Sequence, residues 1–476
     1  MNAPVHPYTL PGYTTFREPR LRFGGDPQQA IDIHPLRGLL SFGPYSQGKL
    51  TALSDPIRVA IIAPQGKVQS VVELLREMQQ SHRPRERHQY LMNFPGFSKV
   101  FGVGLTRSMG QANTIELAST LAQEMERSPK PHMVLAEAMT RALSALRLVR
   151  HEFDVVMILL GQEWQAGFSV KEEEDFDLHD YIKAISASEG MCVQIVQETG
   201  ALNYHCRCSV MWRLGIAIYT KAGGIPWVLA DMTPGTAFIG IDYALRSASG
   251  PDTRFAICCS QVFDAEGSGL EFVAYEADVR LFGKNPFLRR EQMMKLIARS
   301  LQIYQHVGDP PPTRVVVHKN TEFKTYEVDG CFDALLNIPN VELVHVQQAC
   351  GWRGVQIDAP HKPHGYPCRR GTAFQLGPYE TLLWTQGNLP EMTTDGRDYF
   401  KEGKGIPEPL LLVRHAGLGS VDDLCRETLA LTKMDWNNDG PYDRLPVTLN
   451  FAQILAKVVK RMPSLEARSY AFRHFM

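Results

Sequence analysis

Five short apolar runs constrain the fold of this chain more than any other feature. They are Arg58-Val-Ala-Ile-Ile-Ala63, Asp154-Val-Val-Met-Ile-Leu-Leu160, Ala237-Phe-Ile-Gly-Ile241, Thr313-Arg-Val-Val-Val-His318 and Val341-Glu-Leu-Val-His-Val346. Runs of this length, rich in β-branched residues and lacking strict alternation, are strands covered on both faces. Helical sequence fills the intervals: 68–75, 135–149, the segment bearing His179 and Lys183, 289–304 and 452–460. Strand alternating with helix predicts an α/β chain whose first half is a mainly parallel sheet. Residues 1–50 are rich in Pro, Gly and Arg without long periodicity. They read as an extended lead-in with a turn at Gly43-Pro44.

The second half, beginning near Gly224, carries a different order. The strand ending on Asp242 is followed by 253–260 and, through the Gly267-Ser-Gly269 turn, by 270–276. Three antiparallel strands, then a helix and a parallel strand, is the order of a ribonuclease-H-like layer. A length of 476 residues suits two to three domains, and 44% apolar residues supply their cores. No stretch of about 18 apolar residues is present, and the first residues lack a basic and apolar leader pattern, so a cytoplasmic location is expected. The nine cysteines are scattered, as expected of reduced thiols. His205-Cys206-Arg207-Cys208 lacks the spacing and the fourth ligand of a zinc site. Fifty basic against 51 acidic residues give a net charge of −1, which argues against loose, purely electrostatic binding of nucleic acid. A local basic channel remains compatible with it, because screening confines each field to about 8–10 Å.

One sparse polar quartet stands out. His179 and Lys183 are spaced i, i+4 and project from one helix face; Gln194 opens a β-branched run; Lys221 precedes the pair Gly223-Gly224. Two ammonium groups, an imidazole and an amide converging on one point suit a phosphate-bearing end. Taken singly, Lys183 also reads as a solvated helix lysine and Gln194 as a sheet-edge amide.

Four further segments follow in order: Lys221-Ala-Gly-Gly-Ile-Pro-Trp227, Ala237-Phe-Ile-Gly-Ile-Asp242, His318-Lys-Asn-Thr321 and Arg444-Leu-Pro-Val-Thr448. Together with the quartet they resemble the Argonaute family, specifically its short prokaryotic branch. The resemblance covers roughly residues 50–476. It implies an N-terminal extension with a partner-docking segment (1–50), a Rossmann-like MID domain (51–225) and an RNase H-like PIWI domain (226–476). It also makes Lys183 and Lys221 the main ligands of a guide 5′-phosphate, with Gln194 on the phosphate or first base edge and His179 stacking on that base. The tail Tyr470–Met476 would fold back to the pocket, where the carboxylate of Met476 would help to hold Mg2+. The apolar residues around Leu36–Tyr45 suit either a docking surface or ordinary domain packing.

Cleaving relatives hold two metal ions with four acidic or histidine ligands. Asp242 stands where the first carboxylate belongs, but Asn320 and Gln453 occupy the second and last positions. Glu276 and Glu291 are the available glutamates, in uninformative contexts. Neutral amides do not balance two divalent cations, so the site is expected to be degenerate. The resemblance then implies a guide-binding subunit, with RNA as guide and single-stranded DNA as target. Its partner would be a protein with an APAZ region fused to an effector, often a sirtuin-type or TIR NADase, in a heterodimer with possible higher assembly on activation. Such a pair serves anti-plasmid or anti-phage defence by depleting NAD. The competing expectations are an active guide-directed endonuclease and a guide-free scaffold for the effector.

Overall fold

The chain is described by a computed structural model over residues 12–48, 53–170, 176–246, 254–262, 270–277, 279–282, 285–306, 310–358, 362–400, 405–459, 461 and 469–476. The acidic run at 171–175 lies outside these residues, as do the side chains of Glu276, Cys258 and Cys259.

The first half builds a five-stranded sheet. Its order is Val193–Gln197, Val155–Leu160, Ile57–Pro64 and Leu105–Arg107, with Thr114–Leu117 also pairing Ile57–Pro64, and every pairing is parallel. Alternate residues of the strand Ile57–Pro64 enter different cores. Ala60 and Ile62 pack with Leu135, Met139 and Ile182, whereas Val59 and Ile61 pack with Val71, Leu74 and Ile218. Helices therefore cover both faces, which is why the strands read as unbroken apolar runs.

The second half centres on a ten-stranded sheet. In spatial order it runs Tyr13–Thr15, Thr372–Gln375, Glu380–Leu383, Leu410–Ala416, Asn340–Gln347, Arg314–Lys319, Thr236–Arg246, Arg254–Val262, Leu270–Ala277 and Ser469–Ala471. The central strand Thr236–Arg246 is antiparallel to Arg254–Val262 and parallel to Arg314–Lys319, as the sequence order predicts. Helices Arg290–His306 and Thr325–Ala334 cover one face through Met293, Ile297 and Leu335. Helix Val447–Val459 covers the other through Leu449, Phe451 and Leu455. Gly240 allows that helix to lie directly on the strand: a Cβ there would stand 2.0 Å from the Thr448 carbonyl oxygen. The α/β architecture expected from sequence is the one observed.

The first fifty residues differ from expectation. Residues 12–48 are woven into the body through the edge strand Tyr13–Thr15, a three-stranded sheet with Val228–Leu229, and helix Pro35–Phe42. That helix is capped by His34 Nδ1, which accepts from the amides of Leu36 and Arg37 at 3.2 and 3.3 Å. Leu36 and Leu39 are buried in the larger core, so of the two readings for 36–45 these side chains follow domain packing. Two- and three-residue strands carry no period that sequence could reveal. Helix Val447–Val459 also starts before the expected Ala452, because Pro446 fixes the turn entering it.

Candidate anion pocket and the Asp242 site

Helix Leu178–Ser188 begins at Asp177, whose carboxylate accepts from the Asp180 amide at 3.1 Å. One turn in, Lys183 points inward and is 5% exposed; Lys221, in the last turn of helix Arg207–Lys221, is 3% exposed. Lys183 Nζ donates to the Phe475 carbonyl at 2.9 Å, and Lys221 Nζ to Gln194 Oε1 at 2.5 Å. Gln194 is delivered by the strand Val193–Gln197, so helix, strand and helix of one parallel sheet converge with the tail. Neither lysine forms an ion pair among the described residues.

The electrostatics follow. Burial and the Lys183 charge pull the Lys221 ammonium down to about 7, while burial pulls Lys183 to about 8 against the attraction of Asp180, Asp435 and Asp177. Two buried cations without a carboxylate in contact are costly unless an anion joins them. A third cation lies nearby, since Arg473 and Lys221 both act on the Cys192 thiol. Arg473 lies against Gly223, its guanidinium 3.0 Å from where a Cβ would stand, and its Nε is buried without a hydrogen bond.

His179 is half exposed at the rim, with Nδ1 3.6 Å from Asp180 Oδ1; desolvation, reinforced by the Lys183 charge, lowers its pKa despite that carboxylate. Beside it opens a cavity of about 350 Å³ lined by Gln165, Phe168, Ser169, Asp177 and Gln197. Thus Lys221 meets Gln194 and faces the charge of Lys183, while His179, within reach of that same charge, lines the neighbouring cavity. Arg473 and Asp435 belong to the surroundings but were not found from sequence. Only their position in space, far along the chain, connects them. Asp435 lies against Asp443, whose carboxyl is pushed up to about 8 by burial and by its neighbour, while Asn450 and Asn438 donate to the pair at 3.1 Å each.

The donors do not fit a magnesium ion as they stand. The Gln194 oxygen is engaged by Lys221 and the Phe475 carbonyl by Lys183, while two ammonium groups already supply positive charge. Among the described residues the one group of three possible ligand atoms within 4.8 Å is Asp177, His179 and Asp180. Of these, Asp177 caps the helix and Asp180 lies 3.7 Å from Arg461. Met476 is buried. Cys206 and Cys208 diverge as well: Cys208 Sγ donates to the Met92 carbonyl at 3.2 Å, and His205 lies 3.3 Å from Glu86.

On the ten-stranded sheet, Asp242 follows Ile241, which is in register with Lys319, so Asp242 and Asn320 share the face under helix Val447–Val459. Burial raises the Asp242 carboxyl, moderated by hydrogen bonds from the Tyr243 amide and Asn320 and by the charge of Lys457. Gln453 is half-buried on the same helix. Glu291 is exposed at the start of helix Arg290–His306, on the opposite face. On that opposite face Lys319 and Glu327 form a fully buried ion pair at 2.6 Å.

No protein-family model matches the sequence, and no curated protein matches it either. The fold does have solved counterparts. Clostridium butyricum Argonaute bound to a guide DNA and a 19-mer target DNA superposes with a TM-score of 0.65 at 13% identity, over 97% of this chain and 55% of that one. Drosophila Piwi superposes with a TM-score of 0.62 at 15% identity, over 97% of this chain and 56% of its own. The chain therefore has the mixed α/β fold of Argonaute and Piwi proteins, and it spans a little over half the length of these two structures.

Proposed function

We propose that this chain is an Argonaute-like, guide-binding protein of the short MID–PIWI type. In this reading it holds the 5′-phosphate of a short guide, recognises a complementary strand by base pairing, and does not cut it. The observation that carries the proposal is the buried Lys183–Lys221 pair, unpaired by any described carboxylate, with Lys221 held by Gln194 and Lys183 by the Phe475 carbonyl. A phosphate monoester brings about −1.5 to −2 charges and three acceptor oxygens to these donors. The cavity beside His179 is of a size and polarity to seat the first base, with the imidazole as stacking partner. Family resemblance supplies the rest of the reading: an RNA guide, single-stranded DNA as target, and an APAZ-bearing effector partner, a sirtuin-type or TIR NADase, that the bound duplex switches on.

The test is binding of a labelled short RNA with and without a 5′-phosphate. The phosphorylated guide is expected to bind at least tenfold more tightly, and equal binding would overturn the pocket assignment. Incubation of the loaded protein with matched target in magnesium and manganese separates the binder from the endonuclease reading; cleavage lost on Asp242→Ala would establish the latter. A guide-free scaffold would bind neither RNA yet still copurify with its effector.

A further inference from the structure

The sheet face that carries Asp242 is occupied by a chain of side-chain hydrogen bonds, with the ammonium of Lys457 near it. Gln348 Nε2 donates to Asn320 Oδ1 at 3.2 Å, and Asn320 in turn hydrogen-bonds the Asp242 carboxylate. Arg444 holds the carbonyl of Gln348 from behind. The amide standing where a second metal-binding carboxylate would be is therefore used on protein partners.

Helix Val447–Val459 is seated over this face by the approach of Thr448 to Gly240 and by the 3.0 Å contact of Thr448 with His318 Nδ1. The helix presents Gln453 and, one turn on, Lys457. Lys457 is exposed, and among the described residues its ammonium has no hydrogen bond or ion pair, yet its charge reaches Asp242. The side-chain amide of Gln453 is likewise uncommitted.

These groups comprise one carboxylate, one ammonium and three neutral amides. Two divalent cations need several anionic oxygens, which this set does not offer. A single phosphodiester needs an ammonium and an N–H donor, and the set offers both.

We propose that Lys457 and Gln453 form a metal-independent seat for one backbone phosphodiester of the strand paired with the guide, with the Gln348–Asn320–Asp242 chain as its rigid floor. The proposal rests on the guide-dependent target binding inferred above. Lys457 then supplies the charge that metal ions supply in a cleaving site, and it holds the phosphate without activating water.

The experiment uses the full chain loaded with guide RNA. Its targets are DNAs that each carry one uncharged methylphosphonate linkage, stepped through the centre of the duplex. One position is expected to weaken binding about tenfold, equally in magnesium and in EDTA. Lys457→Ala should weaken the unmodified target to the same extent and lose its response to that one linkage, whereas Lys457→Arg should retain both. Unchanged affinity of Lys457→Ala, or sensitivity that appears only with magnesium, would overturn the seat. Failure of the wild-type chain to bind any target, modified or not, would overturn the guide reading and the seat with it. Thermal melts of the exposed-site variants, expected to match wild type, distinguish loss of contact from loss of fold.

Discussion

Lys183 and Lys221 hold their protons less tightly than exposed lysines because each is buried and Lys221 also faces the other charge. The sign for stability follows from linkage. Folded Lys221 titrates near 7 and the unfolded side chain about 3 units higher. Folding thus releases protons in that window, and the stability of the guide-free chain should rise as pH increases from 7 towards 10. Thermal melts at pH 7 and 9 check this, with Lys221→Met expected to flatten the slope. Phosphate binding acts in the opposite sense, since it re-protonates the pair. Affinity for a 5′-phosphorylated guide should fall steadily from pH 7 to 9, while a 5′-hydroxyl guide stays flat, by fluorescence anisotropy. At fixed pH, Lys221→Ala removes one charged hydrogen bond and should cost about 1.5–3 kcal/mol of guide binding. The positions of His179 and Lys183 on one helix face were legible because i, i+4 spacing is local. Arg473, Lys457 and Gln348 were hidden because their partners lie across tens or hundreds of residues. Of these, Lys457 alone carried a readable signal, one helical turn after Gln453.

Among the elements, strand Arg314–Lys319 illustrates how a single residue pins two layers together. Its last side chain, Lys319, pairs with Glu327 at zero exposure and lies 4.9–5.4 Å from the ring centres of Phe287, Phe323 and Tyr243. Glu327 also accepts from the amides of Leu288 and Lys324, each at 3.0 Å, so one carboxylate joins the ends of two strands to a helix start. Lys319→Met would leave that carboxylate buried and uncompensated, at about 3–5 kcal/mol of stability. Urea unfolding checks this, and adding Glu327→Gln should recover part of the loss. The apolar strands themselves were legible because burial on both faces writes itself as a continuous run. Helix starts were less so: Val447-Thr448 resembles strand sequence until Pro446 and the packing on Gly240 decide otherwise.

For the molecule as a whole, the tail is the joint between pocket and sheet. Ser469–Ala471 forms the edge of the sheet beside Leu270–Ala277, and a few residues on, the Phe475 carbonyl receives Lys183. Deleting residues 470–476 should therefore lower the melting temperature and weaken guide binding at least tenfold together, whereas Lys221→Ala, which removes a buried charge, should weaken binding without lowering the melting temperature at pH 7. Differential scanning fluorimetry and anisotropy on the two variants check the contrast. The opposite end of the sheet is closed by residues that sequence described least well. Tyr13–Thr15 pairs with Thr372–Gln375, and Lys433 Nζ binds the carbonyls of Pro19 and Ile33 and the carboxylate of Glu18. Thr15 and Thr372 are 357 residues apart. On a ribosome adding about 5–20 residues per second, roughly 20–70 s pass between the synthesis of that strand and of its partner. Throughout that interval the nascent chain carries an unpaired edge, and it is there, during translation, that the protein is most exposed to chaperones, proteases and premature association.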